Sequence, residues 1–342
     1  MYKNHLKIAF RSIWKDKFFS LLNITGLAIG IACCLLIMTY VQYEQSYDKH
    51  FDGYSNMNRG VIEGSFNGQD FTGVQYPSPA GRTFRDQIPG IEEVVRFRNL
   101  GNSVIKSEDK VFNENNLVYA DETFFNVFSI PLIMGDPDNV LENKNTLAMS
   151  ASTAKKYFGD EDPIGKRLKM DDRLDFEVRG VYEDIPNNTQ FHFDMILSFK
   201  TNEYGYNNQE WLSQNYETYF VLIENASFQQ VKNQINDIAI VKMGVELKQY
   251  LDMTFEQFEA TGNAFNYFLQ PLEDVHLKSD NYGGFEPEAD ITYVYIFTAI
   301  AAFILILACI NFMNLSTARS ANRAKEVGLR KVMGSYRHQI IS

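Results

Sequence analysis

Two long apolar runs govern what this chain can fold into. "FFSLLNITGLAIGIACCLLIMTYV" (Phe18–Val41) has 24 residues without a charge, and "YVYIFTAIAAFILILACINFM" (Tyr293–Met313) has 21. A helix rises about 1.5 Å per residue, so each run reaches across a bilayer core of roughly 30 Å. The first exceeds the apolar core of a secretory signal, about 7–15 residues, and no small-x-small cleavage site follows it. The second is too long and too free of charge for a buried soluble helix. Both read as membrane spans.

Charge orients them. The formal net charge of −11 and pI near 5.0 describe an average that no part of the chain has. Residues 1–17 carry Lys3, Lys7, Arg11, Lys15 and Lys17 against Asp16 alone. Residues 319–342 carry Arg319, Arg323, Lys325, Arg330, Lys331 and Arg337 against Glu326 alone. The body between them is left with −20. Lys and Arg stay on the cytoplasmic side, so both ends belong inside and the acidic body outside, which an even number of spans satisfies. The expected organisation is a basic cytoplasmic N-terminus (1–17), a first span (18–41), an outer domain (42–292), a second span (293–314) and a cytoplasmic amphipathic segment (315–342). Cys33, Cys34 and Cys309 lie in the spans, so the outer domain is no disulfide scaffold. At about 250 residues it can bury a core without one.

The outer domain reads as mixed α and β. "NRGVIEGSF" and "FTGVQY" are strand-like and flank Asn67–Gly68, a hairpin signal. A short helix is expected over Ala80–Gln87, then a strand in "EEVVRFRN" and a meander from Ser103 to Tyr119. "SASTAKKYFG" has a serine start and Gly159 where a C-terminal cap belongs. "DFEVRGVYED", "FHFDMILSF", "YETYFVLIE" and "FNYFLQPL" read as strands. Ser227 and Gln230 suggest a capping box that opens the longest soluble helix, to about Tyr250. Strands that adjoin in sequence favour α+β over a doubly wound sheet.

No catalytic constellation emerges. "GDEDPIGKRL" (Gly159–Leu168) has five residues between its glycines where a phosphate loop has four, and Arg167 stands where the loop has its hydroxyl. Asp160, Glu161 and Asp162 would also repel a phosphate, so a turn before a strand is the better reading. His50, His192 and His276 have no Cys or His at ligand spacing. "FHFD" places His192 and Asp194 on one strand face, the usual setting of a structural histidine. Glu92–Glu93 and Asp171–Asp172 read as solvated turns or edges. Asn187–Thr189 is a glycosylation sequon that matters only in a glycosylating host. No cofactor or metal is expected, and no nucleic-acid partner.

The tail carries more. On a helical wheel Arg323, Glu326 and Arg330 share one face, and Ala321, Ala324, Gly328 and Val332 the other. Glu326 precedes Arg330 by four, an ion-pair spacing worth a few tenths of a kcal/mol. A flank resting on membrane lipid needs bulky anchors, which Ala and Gly do not supply, so the small face suits a protein partner.

"NHLKIAFRSIWKDKFFSLLNITGLAIGIACCLLI" followed by "YVQYEQSYDKHF" resembles the amino-terminal region of FtsX-like, MacB-type ABC transporter permeases. "SASTAKKYFGDEDPIGKRL" and "FEVRGVYEDIPNNTQFHFDMILS" resemble their periplasmic core domain, and "ACINFMNLSTARSANRAKEVGLRKVMGS" their second membrane helix and the segment after it. The resemblance runs in order along nearly the whole chain. It implies a permease of the inner membrane that works as a dimer with two ATPase subunits. ATP hydrolysis there moves the periplasmic domains, acting on lipoproteins, peptides or other envelope substrates. It implies coupling to the ATPase through Arg323, Glu326, Gly328, Arg330 and Lys331, no ATPase site in this chain, and further membrane helices beyond Ser342. Asn23, Thr25, Asn311 and Asn314 are candidates for hydrogen bonds between the spans.

Two other classes compete. A two-span receptor should continue into a heptad-rich coiled coil, whereas the tail has Gly328 and Gly334 and no sustained a/d pattern. A membrane-anchored enzyme needs a nucleophile, a metal set or a paired acid and base, and the sequence offers none.

Overall fold

A computed structural model describes residues 17–108, 110–279 and 282–334. The chain divides into two compact units, one of residues 1–45 with 291–342 and one of Ser46–Asp290. Each is described by itself.

The first unit holds helix α1 (Lys17–Gln45) and, at the far end of the sequence, a helix of 42 residues, Ile291–Val332. Within them Ser20–Gln45 and Ile291–Asn314 are long and apolar enough to span a bilayer. The second unit contributes α2 (Ala80–Gln87), α3 (Phe124–Phe128), α4 (Ala151–Phe158), α5 (Glu203–Asn207), α6 (Phe228–Leu251), α7 (Phe255–Ala260) and α8 (Leu272–Val275). Ile291–Val332 is therefore α9.

Helices α1 and α9 pack antiparallel through small residues. A Cβ added to Gly30 would lie 3.1 Å from the Ala308 Cβ, and one on Gly26 would lie 3.3 Å from Asn311 Nδ2. Gly26 and Gly30 are four apart, the spacing that lets membrane helices approach closely. Farther along, the Tyr40 and Phe297 rings meet edge to face at 5.3 Å. Val294, Ala301 and Ala308 are buried at seven-residue intervals, the repeat of a left-handed helix pair. Asn311 Nδ2 donates to Asn23 Oδ1 at 3.5 Å, a weak bond across the pair. Thr25 instead donates to Leu21 O of its own helix, and Asn314 is exposed.

The second unit is built on one sheet. Its strands are β1 (Met57–Phe66), β2 (Gln69–Gly73), β3 (Gln75–Pro77), β4 (Ile91–Asn99), β5 (Ser103–Ser107), β6 (Lys110–Glu114) and β7 (Leu117–Ala120). Then come β8 (Leu132–Met134), β9 (Thr146–Ser150), β10 (Arg167–Met170), β11 (Leu174–Tyr182), β12 (Met195–Ser198), β13 (Gln214–Leu222) and β14 (Ala264–Pro271). The spatial order is β14-β1-β13-β4-β7-β12-β9-β11-β10-β5-β6, with β2, β3 and β8 paired at the side. Two ladders are parallel, β7 with β12 and β9 with β11, and the rest antiparallel. The α+β class holds, and the parallel ladders sit in the middle of the order.

Local chemistry explains the elements. Asn67 and Gly68 both have positive φ, 53° and 76°, as the tight turn joining β1 to β2 requires. Ser150 caps α4 by accepting from Thr153 N, and Gly159 follows that helix at φ 65°. Helix α6 buries Val231, Ile235, Ala239, Met243 and Leu247, each four apart and so along one stripe. They join Tyr76, Phe84, Phe220 and Tyr267 in one core. A second core gathers Leu147, Met149, Tyr157, Phe176 and Met195, and a third is aromatic around Phe97, Phe128, Phe191 and Tyr219.

Three sequence expectations need correction. Ser227 makes no side-chain cap on α6; the capping box is Thr254 with Gln257 at the start of α7. Phe191–Asp194 is not strand, since β12 begins at Met195, so His192 and Asp194 do not share a strand face. Asp171 is more than a solvated turn: its Oδ1 accepts from Val104 N at 2.8 Å while its own N–H donates to Val104 O, which joins the β10–β11 turn to β5. Helix α9 is continuous from Ile291 to Val332, through the end of the second apolar run. "GDEDPIGKRL" is a turn, with Lys166 paired to Glu161 at 2.7 Å and Gly165 at φ 79°. The capping assignment is testable by urea denaturation. Thr254→Ala is expected to lower stability by about 1 kcal/mol, and Ser227→Ala by much less, since it removes no cap bond.

Candidate functional site

Two short segments join the helices of the first unit covalently to the second. Residues 46–51 follow α1 directly, and residues 282–290 lead directly into α9. Inside the second unit both segments fasten to one loop, residues 187–193, within the connection from β11 to β12.

Asp48 makes the first fastening. It is 1% exposed and has φ 58°, a left-handed conformation that Asp tolerates better than most residues. Its Oδ1 accepts from Thr189 Oγ1 and Gln190 N, and its Oδ2 accepts from Gln190 Nε2 at 3.0 Å. Its backbone N–H donates to Asn188 O at 3.0 Å. Asn188 Nδ2 donates to both the carbonyl and the hydroxyl of Ser46. Burial pushes the Asp48 carboxyl above its ordinary range, and the bonds from Thr189 and Gln190 pull the other way.

Glu286 makes the second. Its Oε1 meets His192 Nε2 at 2.8 Å, and its Oε2 accepts from Tyr47 OH at 2.8 Å. Tyr47 also stacks on His276, centroids 3.5 Å apart and planes within 5°. The two connecting segments are thus tied to the loop and to each other.

Each segment adds an aromatic anchor. Phe51 meets Phe128 and Phe191 edge to face at 5.2 and 5.7 Å. Phe285 meets Phe97 at 5.6 Å, Phe191 at 5.9 Å and Phe193 at 5.0 Å. Phe191 is common to both. Such pairs add about 0.5–1.5 kcal/mol each beyond the area they bury. A cavity of about 90 Å³ beside them is lined by Asn99, Asn116, Gln190, His192, Phe285 and Glu286. Its polar lining suits water rather than an organic ligand.

Sequence reading singled out His192 as a lone structural histidine and passed over Tyr47, Asp48 and Glu286. One signal was available. Two of the stretches that carry the family resemblance, "YVQYEQSYDKHF" and "PNNTQFHFD", meet here through Asp48, Thr189 and Gln190. The tail residues lie elsewhere. Arg323, Glu326, Gly328, Arg330 and Lys331 are all within the helical run of α9. Gly328 and Lys331 are exposed, and a Cβ on Gly328 would meet nothing within 4 Å. The side chains of Arg323, Glu326 and Arg330, and the ion pair expected between the last two, lie outside the described residues. Among the described residues no three His, Cys, Asp or Glu side chains are grouped to hold a metal.

The profile of the MacB-like periplasmic core domain family matches residues 20–238. The chain is 22% identical over 351 residues to an uncharacterized ABC transporter permease, YvrN, of Bacillus subtilis strain 168, across 98% of this chain and 80% of that protein. It is 22% identical over 349 residues to the macrolide export ATP-binding/permease protein MacB of Bdellovibrio bacteriovorus, across 98% of this chain. There it spans about half of the relative, 50% of its length. A crystal structure of a permease-protein domain from Porphyromonas gingivalis matches with a TM-score of 0.54 at 25% identity, over 65% of this chain and 91% of that domain.

Proposed function

Since the chain belongs to the MacB-like periplasmic core domain family, we propose that this ABC transporter permease converts ATP hydrolysis by a separate ATPase subunit into movement of its periplasmic domain. The observation that carries the reading is the double fastening of the membrane connections. Residues 46–51 and 282–290 each bring a carboxylate and a phenylalanine to the loop at 187–193. That loop continues into β12, which lies between β7 and β9 in the sheet. A displacement of either membrane helix then pulls on the sheet rather than on a slack linker. The apolar runs Phe18–Val41 and Tyr293–Met313 carry no charge, which suits mechanical transmission to envelope substrates such as peptides or lipoproteins. The charge flanks support a topology with both termini in the cytoplasm, the spans in the inner membrane and the domain in the periplasm. A second permease copy and two ATPase subunits complete the assembly.

At the other end, α9 continues without a break past Asn314 to Val332. A continuous helix transmits displacement along its axis, and Gly328 is open to a partner. The ATPase docks on this extension, through Gly328 with Arg323, Glu326, Arg330 and Lys331. The test is co-purification of the membrane-embedded permease with its ATPase, together with stimulated ATP turnover. Gly328→Leu is expected to lower both at least tenfold by blocking close approach, and Glu326→Lys to weaken both by reversing a local charge. Both should leave membrane insertion intact. Full retention of the ATPase and its turnover by both variants would reduce the extension to a lipid-facing flank.

A further inference from the structure

The third residue of β1, Arg59, is a cation that has no business on a sheet face unless it is enclosed. Arg59 is 1% exposed. Its Nη2 donates to Gln270 Oε1 on β14 at 2.9 Å, to Ser279 Oγ at 3.1 Å and to Glu288 Oε1 at 3.1 Å. Its Nη1 donates to Gly283 O at 2.9 Å. Gly284 passes so close that a Cβ there would lie 2.8 Å from Nη1. The segment before α9 is therefore wrapped over this guanidinium, and Glu288 braces it further by accepting from Tyr282 N at 3.0 Å.

A second carboxylate shares the centre. Glu217 on β13 is 9% exposed, and its Oε2 has no hydrogen-bond partner. Arg59 Nε is likewise unpartnered. One buried cation thus serves two buried carboxylates, and with both ionised the centre carries a net negative charge that burial disfavours. Among the described residues, the groups facing it across the sheet do not cancel this charge. Directly opposite Glu217 are Phe97 on β4 and Gln75 on β3, both neutral. Tyr219, two residues on, is a neutral phenol whose OH donates to Gln190 Oε1 at 2.8 Å. Gln190 in turn binds Asp48, so the hydrogen-bonded chain from Tyr219 leads to another carboxylate.

We propose that Arg59, Glu217 and Glu288 form a proton-operated joint that positions the segment entering α9. With one proton on the centre, Arg59 and the remaining carboxylate balance and the segment is gripped. Without it, the excess charge weakens the grip. Burial pushes Glu217 up to about 7 against the pull of Arg59, within reach of ordinary changes in external pH. Between the ordinary glutamate range and pH 7 the gripped state holds a proton that the released state has lost, so grip falls as pH rises across that window. The role rests on the transmission reading, since it matters only where this segment carries force.

Hydrogen–deuterium exchange on the full chain in phospholipid nanodiscs tests the joint, reading amides of residues 282–290 with intrinsic exchange corrected for pH. The wild type should lose protection about tenfold between pH 6 and 8, the limit for one linked proton with a midpoint near 7. Glu217→Gln should be protected at both pH values. Glu288→Gln leaves one carboxylate for Arg59, so its transition should move to lower pH. Arg59→Lys, which keeps the charge but not the fork of donors, should be poorly protected throughout. A flat wild-type profile, or a Glu217→Gln variant that keeps the wild-type transition, overturns the proposal. No ATPase is present in this measurement, so its failure is separate from failure of the docking experiment.

Discussion

Asp48→Ala is expected to lower the stability of the periplasmic domain by about 3–5 kcal/mol. The change leaves Thr189 Oγ1, Gln190 N and Gln190 Nε2 without their buried acceptor. Orphaning a buried donor costs about 1–3 kcal/mol. Alanine also lacks the tolerance of aspartate for φ 58°. For a domain of this size the loss corresponds to a fall in Tm on the order of 10 °C. Asp48→Asn keeps an acceptor and the backbone preference, so it should fall between. Thermal unfolding of the three proteins in detergent, followed by tryptophan fluorescence, would decide. If Asp48→Ala unfolds within about 2 °C of the wild type, the fastening of residues 46–51 is not rigid, and the transmission path through loop 187–193 loses its first link.

Arg96→Ala should be as damaging, for a reason unconnected with the membrane. Arg96 is 1% exposed on β4, and its Nε and Nη2 meet the two oxygens of Asp121 at 2.8 and 2.7 Å. Its Nη1 donates to the carbonyl and the hydroxyl of Ser78 at 2.9 Å, and its guanidinium lies 4.5 Å from the Phe199 ring centre. Removing one partner of a buried pair strands the other charge, at about 3–5 kcal/mol. The double variant Arg96→Met, Asp121→Asn removes both charges and keeps the acceptor that Asp121 offers to Arg96 N. It is expected to recover at least half of the loss, as read by urea denaturation. Equal destabilisation of single and double variants would mean that Arg96 acts through its packing and its Ser78 bonds rather than through its charge.

How much of the site was legible follows from where its partners lie in the chain. The helix Ala80–Gln87, the Asn67–Gly68 turn and the Ser150 cap depend on residues a few positions apart, and sequence reading found each. The Ser227 cap failed because Ser–x–x–Gln is compatible with a capping box without enforcing one, and the true box begins at Thr254. "FHFD" failed because period-two alternation marks either a strand or an extended loop. Here the loop won, since His192 is held by Glu286, far along the chain.

The sequence by itself determined the two spans, the charge asymmetry around them, the α+β character of the domain between them and the family resemblance. These properties are written in runs, periods and short motifs, so no knowledge of distant contacts is needed. Tertiary structure alone decided that Arg59, Arg96, Asp48 and Glu217 lie inside. In "NRGVIEGSF" and "EEVVRFRN" the arginines look like ordinary solvated positions of a strand, and a charge goes inward only when its counter-charge is already there. For Arg59 that counter-charge is Glu288, 229 residues away, and for Asp48 the donors are Thr189 and Gln190, 141 and 142 residues away. No local pattern encodes such separations. The folded sheet brings these groups together, and burial makes their pairing strong.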